Sequence, residues 1–81
     1  MGVHVKSQQE KLRLATQLAV SLPDNEIEDL NVLIAAGEYR IALENLCTQL
    51  FEYGQVLSLE YRDLLEALGE MCGVDVGALL D

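Results

Sequence analysis

Two glycines and the apolar rhythm between them restrict this chain's fold more than any other feature. Residues 37–54 read GEYRIALENLCTQLFEYG. Within them Tyr39, Leu43, Leu46, Leu50 and Tyr53 recur at spacings of four and three. On an α-helix that spacing draws one seam along a single face. Ala42 and Cys47 widen the seam, and Gly54 is expected to end the helix.

The same reading finds three further helices. A first block spans residues 5–21, with Leu12, Ala15, Leu18 and Ala19 on one face and Leu22 just beyond. Lys6, Glu10, Arg13 and Gln17 lie largely on the other face. Pro23 holds Leu22 extended and ends that helix. Asn25 and Glu28 have the spacing of a capping box, so a second helix is expected from there. It buries Ile27, Leu30, Leu33 and Ile34 and stops at Gly37. Residues 55–57 form a short connection, and Ser58 caps a fourth helix with Glu60 in its first turn. Tyr61, Leu64, Leu65, Leu68 and Met71 supply its apolar face, and Gly73 closes it. Gly69, inside that helix, costs about 1 kcal/mol against alanine and marks a close helix contact. Residues 74–81 add a helical turn capped by Asp75, with Leu79 and Leu80 inward.

There is no hairpin signal, repeat or low-complexity tract. Connections of two to five residues favour antiparallel neighbours. The expected fold is one all-α domain over residues 1–81, a small four-helix antiparallel bundle with a short C-terminal helical turn. The chain is 51% hydrophobic, too apolar for a disordered tail. With one Phe and no Trp, aliphatic side chains must fill the core.

Charge narrows the possible partners. Fourteen acidic residues against five basic ones leave a net charge of −9. Phosphates would repel such a chain, so no nucleic acid is expected as partner. A basic protein surface would attract it, speeding encounter roughly 10–10³-fold. Residues 1–6 lack the apolar run of a signal peptide, and no stretch approaches the ~20 apolar residues of a membrane span. A soluble, cytoplasmic protein is expected, without membrane contact. Cys47 and Cys72 are too few for a disulfide scaffold and form no C-x-x-C pair, so both read as reduced thiols.

Catalysis finds little support. His4, the only histidine, lies near the terminus and away from a recognisable Ser, Cys or Asp partner. Cys47 sits on an apolar seam, where a thiol packs as a small hydrophobe. No phosphate loop or zinc helix motif occurs, and the carboxylates lack calcium or zinc ligand spacing. Small acidic helical domains include acyl carriers, but Ser58 follows Leu57 in LSL where a carrier has a DSL-type motif. Ser58 reads as a cap. No enzyme, cofactor or metal is expected.

The placement of the acids is more informative. Glu26, Glu28 and Asp29 open the second helix, where the macrodipole favours negative charge. In the fourth helix Glu60, Asp63, Glu66 and Glu70 follow at spacings of three and four. Like charges so placed repel by about 0.2–0.5 kcal/mol per pair. Arg62 relieves Glu66 alone, and Glu70 also faces the negative end of the dipole. Glu44 and Glu52 add acids to the third helix, beside its seam. A solvated face explains such a stripe, and charge alone favours that explanation. A docking face for a cationic surface explains why the repulsion is left uncompensated. Tyr53 and Tyr61 bracket the turn at one end of the stripe.

The run AGEYRIALENLCTQLFEYG, with a serine-started helix ending LGEMCGVD, resembles MafI-family immunity proteins. These small bacterial proteins neutralise secreted polymorphic toxins of the MafB type. The family pattern has an AGE–aliphatic–ALE segment, then LCDQLYEYD, a serine-capped helix, and LG-x-x-MG-L. The similarity covers roughly residues 30–75, on Gly37, Glu38, Ala42, Leu43, Glu44, Leu46, Cys47, Gln49, Leu50, Glu52 and Tyr53. Leu68, Gly69, Met71 and Gly73 complete it, with Cys72 inserted before the last. Thr48, Phe51 and Gly54 stand where the pattern has Asp, Tyr and Asp, so three polar groups are lost around the turn. A toxin contacted there would present a different surface.

The resemblance places docking ahead of the solvated-face explanation. It implies a stoichiometric inhibitor of a cognate toxin, and the acidic charge points to a basic nuclease as that toxin, whose groove the carboxylates would occupy in place of phosphate. The expected partner-binding residues are Glu44, Glu52, Tyr53, Glu60, Asp63, Glu66 and Glu70. The alternative is a non-enzymatic helical module that homodimerises or acts as an adaptor through its apolar seams.

Overall fold

A computed structural model describes the backbone of residues 3–80 and the side chains of residues 7–80. Its helices are α1 (Val3–Gln17), α2 (Asp24–Ala35), α3 (Tyr39–Glu52), α4 (Leu59–Cys72) and the short α5 (Val76–Leu80). This is the small all-α bundle that the seams imply. The radius of gyration is 11.5 Å, against about 12 Å for a compact domain of this length.

The third-helix seam holds the centre. Ala42, Leu43, Leu46, Cys47 and Leu50 are all buried, and α3 packs against each of the other four helices. α1 joins it in the middle, touching α2, α3 and α4, while α2 and α4 do not meet among the described residues. Two cross-links set the direction of α4. Gln8, early in α1, donates to the Met71 carbonyl at 3.3 Å, and Tyr61, early in α4, donates to Ala15 late in α1. The two helices therefore run antiparallel.

The glycines stop helices as expected. After α2, Gly37 at φ +78° donates to the Ile34 carbonyl and Glu38 donates to Leu33. That pair of bonds satisfies carbonyls left without helical partners. Gly54 repeats the arrangement after α3, through bonds to Phe51 and from Gln55 to Leu50. Ser58 caps α4, its hydroxyl accepting from the Tyr61 N–H at 3.0 Å.

Four details differ from expectation. α1 ends at Gln17, not residue 21, and residues 18–23 form successive tight turns. Ala19 and Leu22 thereby reach the core, while Leu18 is turned out to 43% exposure. The capping box of Asn25 and Glu28 does not form. α2 begins two residues earlier, with Pro23 in the N-cap position where Asn25 was expected, and the Pro23 carbonyl accepts from Glu26 and Ile27. In place of a side-chain cap, Asp24 and Glu26 lie in the positive first turn. Ile27, Leu33, Leu64 and Met71 are half-buried at the core's margin. Tyr53 closes α3 as its C-cap and is 48% exposed, because the seam has run past the core by that point.

Candidate partner-binding surface

α4 positions the acidic row. Tyr61, Leu65, Leu68 and Gly69 are buried against the other helices, which turns Asp63, Glu66 and Glu70 outward to solvent. Leu59 heads the same row at the same spacing and is 74% exposed. Glu60 leans from the row toward α1.

Two concave regions flank this ridge, and the row's acids border both. On one side a groove of about 530 Å³ runs between α1, the α3–α4 connection and the start of α4. Leu14, Leu18, Val56, Tyr61 and Leu64 line it, with Glu60 and Gln55 among its polar groups. On the other side a cleft of about 570 Å³ separates α4 from the chain leading into α5, bordered by Glu66, Glu70 and Asp75. Gly69 brings the chain close there. A Cβ at this position would stand 2.6 Å from the Val74 carbonyl oxygen and 2.7 Å from a Val76 methyl.

The acids of α3 form a separate set. Glu44 is half-buried and Glu52 exposed, both away from the buried seam. Glu44 lies 3.9 Å from Arg40, one helical turn earlier, and Glu66 of α4 lies 3.2 Å from Arg62 in the same relation. Exposed pairs of this kind contribute about 0.3–0.5 kcal/mol each. The expected binding residues thus all reach the surface, but only Asp63, Glu66 and Glu70 share one helix face, with Glu60 turned toward the groove. Tyr53 belongs to the α3–α4 turn. Tyr61 is buried.

Gln55 organises the groove's floor, a role its place in a short connection does not suggest. Its side-chain oxygen accepts from the Ser21 N–H at 3.0 Å and the Ser21 hydroxyl at 2.7 Å. Its amide nitrogen donates to the Leu18 carbonyl at 3.0 Å. These bonds fasten the α1–α2 turn to the α3–α4 turn. They hold Leu18 and Val56 in one surface, with Val56 93% exposed. The helical seams give no hint of this groove. Val56, a large apolar residue within a short connection, is the one local sign of it.

Reactive groups are muted. Cys47 and Cys72 are free thiols. Burial pushes the Cys47 thiol up to about 12 and raises Cys72 as well. Among the described residues, no group of three or more His, Cys, Asp or Glu is arranged to hold a metal ion. The His4 side chain lies outside them. No helix among them is long and apolar enough to cross a membrane. No family model, curated protein or solved structure matches the chain.

Proposed function

We propose that this protein is a non-catalytic binder, an immunity protein that neutralises a cognate secreted bacterial toxin by occupying a basic surface. The observation that carries the proposal is the solvent-facing row of Asp63, Glu66 and Glu70 on α4. A row of like charges on one helix face works against folding, and a cationic partner converts that cost into steering and specificity. The resemblance of residues 30–75 to MafI-type immunity proteins supplies the biological setting. A nuclease suits the charge, since its groove attracts phosphate and therefore carboxylate. Glu60 and Tyr53 lie toward the start of α4, and Glu44 and Glu52 offer a separate acidic set on α3.

The test is binding kinetics against the product of the adjoining toxin gene, at low and high salt. Asp63→Asn, Glu66→Gln and Glu70→Gln together should slow association at low salt about tenfold or more and flatten its salt dependence. Folding stability should change little, because relieved repulsion offsets the lost Arg62–Glu66 pair. A wild-type protein that fails to bind, or a folded triple variant with unaltered kinetics, would overturn the assignment.

A further inference from the structure

The acidic row and the apolar groove meet at Glu60, which stands in the row's first turn and also lines the groove. Each feature alone has a plain explanation in solubility or imperfect packing. Their junction asks for a ligand with both characters. We propose that the groove between α1 and α4 receives the apolar face of a cationic amphipathic helix, whose flanking lysines and arginines meet Glu60 and Asp63. The inference rests on the reading of this protein as a binder of a basic protein, and it names the element that such a partner would insert.

The groove's walls favour a helix. Leu14 and Leu18 are four residues apart on one wall, and Tyr61 and Leu64 are three apart on the other. Leu14 lies on α1 and Leu18 on the turn directly after it, its N–H still bonded to the Leu14 carbonyl, so the two walls run antiparallel and the side chains of a helix can interdigitate between them. Val56 closes one end from the α3–α4 connection. Its exposure of 93% leaves a large apolar surface for a partner to cover.

Charge selects the occupant. A second copy of this chain would bring another net −9 to the contact. A two-fold pairing through the groove would place the same patch on both sides, with Glu60 and Asp63 near their own copies. An uncharged apolar segment would gain nothing from the row. A helix with apolar residues at i, i+3 or i+4, and i+7 and cations beside them satisfies both surfaces.

The experiment uses the full chain and a fluorescein-labelled peptide of leucine and lysine, amphipathic and about four helical turns long. Two controls separate the contributions: a lysine–serine peptide of equal charge and a leucine–glutamate peptide of equal apolar content. Anisotropy titration should show the leucine–lysine peptide binding at least tenfold tighter than either control. Leu18→Ser with Val56→Ser should weaken it about tenfold or more while leaving the lysine–serine peptide unaffected. Both sites are exposed, so circular dichroism should report an intact fold. Amide shift mapping on the wild type, which needs no variant, should concentrate changes at Leu14, Leu18, Val56 and Leu64. Glu60→Gln with Asp63→Asn should reduce the salt dependence of binding.

Equal binding of the lysine–serine peptide, or shifts confined to the acidic row, would overturn the proposal. So would a dimer seen by sedimentation that the groove substitutions abolish. Peptide binding in the groove without binding to the adjoining gene's product would remove the immunity assignment alone. Binding of that product with no peptide in the groove would remove this inference alone.

Discussion

Tyr61 illustrates how one side chain repairs a defect left by the backbone. Because α1 ends at Gln17, the Ala19 N–H turns to the Thr16 carbonyl, leaving the Ala15 carbonyl without its usual partner four residues on. The Tyr61 hydroxyl donates to that oxygen at 2.6 Å within the buried core. Tyr61→Phe keeps the ring and strands the carbonyl, so it should cost about 1–3 kcal/mol in urea unfolding. A loss below about half a kilocalorie would show that water reaches Ala15. Burial, reinforced by the nearby Cys47, raises the phenol's pKa, and burial alone pushes the Cys47 thiol from 9.0 to about 12. Both shifts mean that the folded state holds its protons more tightly than the unfolded state. The stability they represent is intact below pH 9 and falls as pH rises toward 12. Cys47→Ala should lower the midpoint at pH 7 slightly and shrink its decline between pH 9 and 11. An undiminished decline would assign the alkaline sensitivity to other groups. The seam of α3 already placed Cys47 inside. The bond from Tyr61 to Ala15 depends on where a different helix stops, which no local pattern encodes.

At the scale of elements, α4 and α5 set two rules against each other. Helix propensity says that Gly69→Ala should stabilise α4 by about 1 kcal/mol. The approach of Val74 and Val76 says the opposite, because the added methyl would overlap a backbone oxygen at 2.6 Å. Backbone cannot swing aside as a side-chain tip can, so α5 must move from its place on α3 and α4. We expect a net loss of about 1–3 kcal/mol, with amide exchange rising across residues 74–80. A gain in thermal midpoint would show that α5 is loosely held. The glycine's meaning was legible as a close contact, though not which element came close. Asn25 and Glu28 show the reverse case. Their capping spacing is real, but Pro23 has fixed φ near −68° and starts the helix two residues sooner. The end of α1 shifted for a tertiary reason as well. Gln55, thirty-four residues from Ser21, supplies the bonds that an additional helical turn would have made.

For the whole molecule, the excess of acidic residues is the dominant electrostatic property. A net charge of −9 on 81 residues acts against the compact state through self-repulsion. Added salt screens it, with a Debye length of about 10 Å at 0.1 M. Raising sodium chloride from roughly 20 to 300 mM should therefore raise the thermal midpoint by about 2–5 °C, since relief of ~1 kcal/mol moves a domain this size by several degrees. The exposed Arg40–Glu44 and Arg62–Glu66 pairs weaken in the same experiment, and their contribution is too small to reverse the sign. A midpoint that falls with salt would show that favourable pairs dominate the surface.

The chain by itself determined its helical class, the central seam of Ala42, Leu43, Leu46, Cys47 and Leu50, the glycine stops and the outward acids of α4. These depend on contacts within three or four residues, and periodicity records such contacts directly. Only the tertiary structure decided that Leu18 leaves the core, that Tyr53 overruns it, and that Val56 and Gln55 join Leu14 and Leu64 around a groove. Each of those outcomes depends on where a second helix ends and on which turns meet in space. Hydrogen bonds between residues more than thirty positions apart determine such meetings, and a periodic pattern carries no record of them.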